Sequence, residues 1–401
     1  MRERLQSLTV AKLKELLRSR GLPVSGRKAV LVDRLVEAAD GGAAGGDILA
    51  AVGTGIPAKA KPRNTATTAA PTSATTNAIT DGHIARDETA RIHTDAPSLR
   101  IASWNVAGLR GLLKREAGLS TLKELVDTEA VDVLMLQETK LQDFHVPDAE
   151  DQLVSVLKGE ATDSPHWRSS WACSTARKGY SGVAMLWNDR TLGDLAADAS
   201  SEPLSVDPGS EAELEGRTLL LSLPLPGTSA RLGLVNVYTP NAGAELKRLE
   251  YRAGSGGWDE RFRAAIDPSN PLMASAGVSH VCVGGDFNVA VEDLDFFNPH
   301  EKRMAKQAGT TPEERASMRR CLESGIFVDG FRSVHPQANG QYTYWSQRAR
   351  NRPRNRGLRL DYFLLSSNLL ASSALVDVQH LTHLEGSDHC PIVTTLRLDV
   401  L

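Results

Sequence analysis

Seven short apolar runs constrain this chain most, because most of them end on, or beside, a group that does chemistry. "LRIASWNV", "VDVLMLQE", "SGVAMLWN", "RLGLVNVY", "HVCVGGDF", "LDYFLLSS" and "HCPIVTTLRL" read as strands. The first ends at Asn105, the second at Glu138, the fourth at Tyr238 and Asn241, the fifth at Asp286 and Asn288. Asp361 stands at the start of the sixth, and Asp388 and His389 precede the core of the last. Leu122–Thr128, Ala244–Ala265 and Pro312–Ser324 read as helices between them. The interleaving is irregular and includes strand pairs, which disfavours a single doubly wound parallel sheet and points to a mixed α/β domain over residues 98–401. Trp104, Trp187 and Trp345 are expected in its core, and no internal repeat is visible.

The text before residue 98 is different. Residues 41–97 hold no Phe, Trp or Tyr and are rich in Ala, Thr, Gly and Pro, so they are expected to be a flexible linker. Residues 1–40 read as two short helices. Thr9 is the expected N-cap of the first, Val10, Leu13, Leu16 and Leu17 its apolar face, and Gly21 and Pro23 its stop. Ala29, Leu31, Val32, Leu35 and Val36 make the face of the second. This head carries nine Lys/Arg against five Asp/Glu, whereas the whole chain has a net charge of −3. A basic head on an acidic body points to a polyanionic partner. No apolar run approaches the roughly 20 residues that span a bilayer, and "MRERLQSLTV" has charges where a signal peptide has its apolar core. Cys173, Cys282, Cys321 and Cys390 are far apart and form no CxxC pair, which fits a reducing compartment.

Taken singly, the polar strand ends are ordinary: Asp286 and Asn288 would close a strand as an Asx turn, and Glu138 would be a surface acid. Six of them together describe one polar rim. Its chemistry is phosphate-ester cleavage, in which a carboxylate holds a hard divalent metal. Metal and polar donors stabilise phosphoryl charge, and a carboxylate or imidazole manages the proton of a water.

"SWNVAGLRG", "LQETKL", "GYSGVAML", "NVYTPNAG", "LEYR" with "WDERF", "GGDFNVA", "RLDYFLLS" and "GSDHCP" follow one another in an order that resembles the exonuclease III class of apurinic/apyrimidinic endonucleases. That class belongs to the endonuclease/exonuclease/phosphatase superfamily. "LTVAKLKELLRSRGLPVSGRKAVLVDRL" resembles a SAP motif, a DNA-binding helix pair. The combination is most similar to plant and green-algal versions. The resemblance implies a four-layered α/β sandwich, two central sheets flanked by helices, behind a small helical module and a linker. It implies Mg²⁺-dependent cleavage 5′ to an abasic site in duplex DNA, leaving a 3′-hydroxyl, with Mn²⁺ as a substitute. The protein is then expected to be a monomer in base excision repair, working beside other repair proteins, nuclear or alternatively chloroplastic.

The same resemblance assigns roles. Glu138 is the metal-binding glutamate. Asp286 with Asn288 positions and deprotonates the water. His389 contacts the phosphate and Asp361 orients it, while Asp388 is the acid beside the metal and leaving group. Asp286, Asn288, Asp388 and His389 are also candidates around the metal. Tyr238, Asn105 and Asn241 surround the scissile phosphate, and Tyr344, Leu358 and Leu360 build the abasic pocket. The run "RARNRPRNRGLR", with Arg348, Arg350, Arg352, Arg354, Arg356 and Arg359, contains no acid and is expected to contact phosphates. Four positions depart from many relatives: Ala107 for an acid or amide near the metal, Ala244 for an arginine wedged into the duplex, Leu358 for a tryptophan, and Ala102 for a redox-linked cysteine. The rival readings are a superfamily phosphoesterase of the inositol-phosphate or sphingomyelinase type, and a non-catalytic DNA-binding scaffold. After "GGDFN" the chain reads Val289-Ala290, not the aromatic-basic pair expected of the phosphatases.

Overall fold

A computed structural model describes Leu5, Leu13, Leu16, Leu17, Leu22, residues 28–40, and residues 97–158, 166–206, 213–225 and 227–401. Two units divide the chain after Asn77. In the first, Leu5, Leu13, Leu16, Leu17, Leu31, Val32 and Leu35 form one small core without an aromatic side chain. One helix is described there, Lys28–Asp40. Ala29, expected on its apolar face, is exposed instead. The Thr9 cap, Val10, Gly21, Pro23 and the linker up to residue 96 lie outside the described residues.

The second unit contains twelve strands among its described residues: β1 Ser98–Asn105, β2 Val133–Gln137, β3 Trp167–Ala172, β4 Val183–Asn188, β5 Ser200–Glu202, β6 Thr218–Pro224, β7 Arg231–Tyr238, β8 Val278–Asp286, β9 Phe327–Asp329, β10 Asp361–Ser366, β11 Leu375–His380 and β12 Ile392–Arg397. They form two six-stranded sheets, ordered β11-β12-β1-β2-β4-β3 and β5-β6-β7-β8-β10-β9. Each sheet has one parallel pair, β1–β2 and β7–β8, and is otherwise antiparallel.

Strand alternation sorts the side chains into three apolar layers. Ile101, Met135, Leu234, Cys282 and Phe363 lie between the sheets. One residue along, Trp104 and Leu134 meet Leu122 of helix Glu116–Asp127 and Leu153 of helix Val146–Leu157. On the far side Val235, Val283 and Leu364 meet Phe262 of helix Trp258–Ile266 and Met318 of helix Pro312–Glu323. Helices, sheet, sheet and helices are the expected four layers, and Trp104, Trp187 and Trp345 are buried.

Two expectations change. The helix over 244–265 is broken into a short turn at Ala244–Leu246 and helices Leu249–Ala253 and Trp258–Ile266, with Gly254, Gly256 and Gly257 in the gap. The other concerns repetition. Adding six to each strand number of the first sheet, counting cyclically, reproduces the order of the second. The strands β1–β6 and β7–β12 are therefore two copies of one topology, each lending its outer hairpin to the other's sheet.

Candidate active site

The pairing register brings the polar strand ends together. Asp286 is paired with Tyr238 across β7–β8 and with Asp361 across β8–β10, while Asn105 pairs with Gln137, the residue before Glu138, across β1–β2. Gly284 and Gly285 explain how β8 reaches this position. A Cβ on Gly285 would lie 2.0 Å from the Val237 carbonyl, and one on Gly284 would lie 2.7 Å from Met135 and Phe363. Only glycine lets the strand fit so close to its neighbours. Beneath the rim, Asn236 of the second sheet accepts from Gln137 Nε2 of the first at 2.8 Å and donates to the Leu136 and Ala184 carbonyls at 3.1 and 2.8 Å, fixing one sheet to the other.

Asn105 is the hub. Its Oδ1 accepts the Ala107 N–H at 3.0 Å, which leaves Nδ2 to donate to Glu138 Oε1 at 3.1 Å and to Asp286 Oδ2 at 2.9 Å. Asp286 Oδ1 accepts the Asn288 N–H at 2.8 Å. Asn288 donates through Nδ2 to the Thr239 carbonyl at 2.9 Å and accepts from Asn241 Nδ2 at 2.7 Å. Tyr238 is hydrogen-bonded to Glu138; burial, then the Glu138 carboxylate, push its phenol well up, so it stays protonated and donates. Lys140 pairs with Glu138 at 2.7 Å. Burial would raise the Glu138 carboxyl, but Lys140 and Asn105 outweigh it and hold it below its ordinary range.

Asp361 Oδ2 binds His389 Nδ1 at 2.7 Å and accepts from Thr343 Oγ1 at 2.5 Å, and His389 Nε2 faces Asp286 Oδ2 at 3.9 Å. Burial alone would lower the imidazole, but Asp361 and Asp286 dominate and raise it to about 10, so His389 is a cation at neutral pH. Burial pushes the Asp286 carboxyl up to about 7 against the pull of His389. Asp286, Asp361 and His389 bring potential ligand atoms within 4.8 Å of one another. With Nδ1 engaged and the ring protonated, His389 has no free lone pair, so of its two expected roles the geometry suits the phosphate contact better than metal ligation. Asp388 is half-buried at the rim, and its own carbonyl accepts the Trp345 N–H at 2.9 Å.

A hard divalent cation fits the donors that converge here. They are carboxylate and amide oxygens, two acids share the single Asn105 amide, and the cysteines are not among them. Glu138, the more accessible acid, would hold it with Asp286 alongside.

The three residues expected to line the abasic pocket lie together: Leu358 and Leu360 pack with Tyr344 in a buried apolar cluster that also takes in Ala290, Phe296 and Met304, which the sequence did not single out. Tyr344 bridges to both Leu358 and His389, so the apolar wall begins where the polar cluster ends. Other contributors went unread. Arg217 stacks over the Tyr238 ring at 4.8 Å and donates to the Tyr238 carbonyl at 2.8 Å. Thr343 holds Asp361 through both its side chain and the Asp361 N–H.

The arginine run splits. Arg348, Arg350, Arg354 and Arg356 are exposed as expected. Arg352 is half-buried, stacks on Trp345 at 4.7 Å and donates to the Ser387 and Thr382 carbonyls. Arg359 is a correction: it is 1% exposed and bound to Asp295 and Asp329, so it cannot touch a phosphate.

Left-handed backbone marks the rim: Ala107, Glu138, Lys140, Ser181 and Asn288 have φ between 49° and 54° without being glycine. Such residues persist where the surroundings over-determine them. Ala107 has no side-chain polar group to compensate, so Ala107→Gly is expected to raise stability by about 1 kcal/mol. A denaturant titration giving a lower midpoint would refute this reading of the turn.

The Endonuclease/Exonuclease/phosphatase family profile matches residues 102–389, more than half the chain. The chain belongs to this family. A SAP domain profile matches residues 4–40. The chain is 38% identical over 309 residues to "DNA repair nuclease APEX1" of Danio rerio, covering 76% of this chain and 84% of that protein. It is 35% identical over 307 residues to an exodeoxyribonuclease of Bacillus subtilis, covering 75% of this chain and all of the relative. Among solved structures it resembles the AP endonuclease LMAP from Leishmania major, with a TM-score of 0.62, 35% identity, and 75% of this chain and 88% of that chain covered. Every element of the site described above falls within the matched residues.

Proposed function

We propose that this family member is an apurinic/apyrimidinic endonuclease of base excision repair. It would hydrolyse the phosphodiester 5′ to an abasic site in duplex DNA with Mg²⁺, Mn²⁺ serving as a substitute, and leave a 3′-hydroxyl; 3′-phosphodiesterase and 3′–5′ exonuclease activity would accompany this. One observation carries the reading: the cluster of carboxylates, amides and imidazole lies against a buried apolar cluster, joined to it through Tyr344, that would wall the sugar pocket. The pocket lining suits a base-free deoxyribose, which extrudes at lower cost than a paired nucleotide, and offers nothing to the polyanionic ring of an inositol phosphate.

In this scheme Asp286, aimed by the Asn288 N–H and Asn105, positions the attacking water and takes its proton. Its carboxyl near neutrality suits a general base. His389, held by Asp361, donates from Nε2 to a phosphoryl oxygen, with Asn241, Asn288 and Tyr238 around the phosphate. Glu138 would hold the cation, which when bound would supply electrostatic stabilisation of the charge that develops in the reaction. Asp388, at the rim, stands beside the leaving group. Arg348 and Arg350 meet the DNA backbone, and residues 1–40 add sequence-independent affinity. The proposed organisation is a SAP module over 1–40, a linker over 41–97 and a catalytic domain over 98–401, acting in the nucleus as a monomer.

The test uses duplex DNA bearing one abasic analogue, undamaged duplex, and a soluble inositol phosphate, each with Mg²⁺ or EDTA. A single cut 5′ to the analogue, only with Mg²⁺, is expected; Glu138→Ala should abolish it, and Ala107→Asp should lower the Mg²⁺ needed. Full cleavage in EDTA, equal cutting of undamaged duplex, or turnover of the inositol phosphate alone would overturn the assignment.

A further inference from the structure

Behind the Asp286-Phe287-Asn288 turn lies a buried ion pair that the mechanism above does not use. Arg252, on helix Leu249–Ala253, is 1% exposed and Glu314, on helix Pro312–Glu323, is 0% exposed. Arg252 Nη1 donates to the Asn288 carbonyl at 2.7 Å and to Glu314 Oε1 at 3.0 Å; Nη2 donates to the Phe287 carbonyl; Nε lies 3.5 Å from Asp259. One guanidinium thus grips two consecutive carbonyls of the turn, one of them belonging to a residue at φ 49°. A planar guanidinium meets the two carbonyls from two separate, rigidly spaced nitrogens, whereas an ammonium has a single nitrogen on a flexible stem to offer them.

Glu314 extends the grip toward the pocket. Its Oε2 accepts the Gly309 N–H at 2.7 Å and the Thr311 hydroxyl at 2.8 Å. The Gly309 carbonyl in turn accepts the Ala290 N–H at 2.7 Å, and Thr310 donates to the Met304 carbonyl at 2.6 Å. Ala290 and Met304 both belong to the apolar cluster that holds Leu358 and Leu360. The Phe287 N–H completes the circuit by donating to the Leu360 carbonyl at 2.8 Å.

We infer that Arg252 and Glu314 are positioning residues that lock the water-activating turn to the wall of the sugar pocket, so that the attacking water and the extruded sugar are held in one fixed frame. A buried pair is a poor source of stability, since apolar replacements often do as well. What the pair supplies here is geometry, and misplacement by about 1 Å from a remote change can cost about 10²-fold in rate. The inference rests on the proposed reading of Asp286 as the water-activating group.

The test compares Arg252→Met, Arg252→Lys and the double variant Arg252→Met/Glu314→Gln in the full chain at low temperature. The double variant removes both charges but leaves an acceptor for Gly309. Arg252→Met should lower both Tm and kcat. The double variant should recover most of the Tm while kcat stays about 10²-fold down, with KM for abasic duplex within threefold. Arg252→Lys should keep Tm but not restore kcat. Recovery of wild-type kcat in either the double or the Lys variant would overturn the inference and leave the pair merely structural. Amide hydrogen exchange gives a substrate-free readout. In Arg252→Lys, Phe287, Asn288 and Ala290 should exchange at least tenfold faster while β2 is unchanged, and unchanged exchange in the turn would also overturn it. If wild-type protein cleaves no abasic duplex, the proposed function fails, and the exchange result still decides the geometric inference.

Discussion

Asp286→Asn is expected to lower turnover about 10²–10⁴-fold while leaving affinity for abasic duplex within a few fold. The amide keeps an oxygen for the Asn288 N–H but cannot take a proton, so the change removes acid–base help with little change of volume, at the cost of turning an amide donor toward Asn105 Nδ2. The same variant should lose less stability than wild type as pH rises when metal is withheld. Burial raises the Asp286 carboxyl to about 7, so the folded protein holds that proton more tightly than the unfolded chain does. Stability is therefore lost as pH rises from about 4 toward 7, and the full cost is present above that. In EDTA the neutral amide escapes this cost, so the Tm of the variant relative to wild type should rise between pH 4 and pH 8, whatever offset the lost Asn105 hydrogen bond sets at pH 4. Near-normal turnover would remove Asp286 from the mechanism. A relative Tm that does not rise with pH would show that His389 stabilises the carboxylate as much as burial opposes it.

Arg359→Met should destabilise the fold by about 3–5 kcal/mol, and it should do so without altering how DNA binding responds to salt. The substitution removes the guanidinium 2.7 Å from buried Asp329 and 2.8 Å from Asp295, leaving Asp295 with Arg332 alone. Burial would raise the Asp295 carboxyl, yet Arg359 and Arg332 prevail and hold it at about 2. Its contribution is thus present above pH 4 and is lost as pH falls toward 2. Arg348→Ala and Arg350→Ala should behave oppositely: unchanged Tm, weaker binding, and a salt slope shallower by about 0.9 for each phosphate contact removed. Chemical denaturation and binding across a salt series separate the two cases. A stable Arg359→Met protein with a shallower salt slope would return that residue to the DNA-binding surface.

This contrast shows what could be read before the structure was seen. Seven of the twelve strands were legible because they are short apolar runs, most with a functional group at or beside the end, and the register then delivered Asn105, Glu138, Tyr238, Asp286 and Asp361 to one edge; β3, β5, β6, β9 and β11 were missed, because they add no group to that edge and two of them span only three residues. Arg359 was not legible, because its partners lie 64 and 30 residues away and nothing local announces burial. Phe296 and Met304 come from an irregular segment with no period to betray an inward face. The broken helix was readable in principle: Gly254, Gly256 and Gly257 stand in its middle, and a Cβ on Gly257 would lie 2.7 Å from the Arg252 carbonyl. The capping box of Thr311 and Glu314 is likewise visible as a sequence pattern, but not that the same carboxylate neutralises Arg252. The twofold repeat of topology left no trace because it resides in which strands pair, not in which residues compose them.

That exchange of hairpins between the two halves sets when the protein becomes able to act. β1 needs β12 as its antiparallel neighbour, and His389 reaches Asp361 only once that strand is in place. A ribosome that has made everything through β8 holds a chain with Glu138 and Asp286 but with an unpaired edge on each sheet and with neither Asp361 nor His389 beside them. Whatever the head at residues 1–40 already binds, the cluster itself is finished late, once β10 has been added and residues 375–397 close the first sheet.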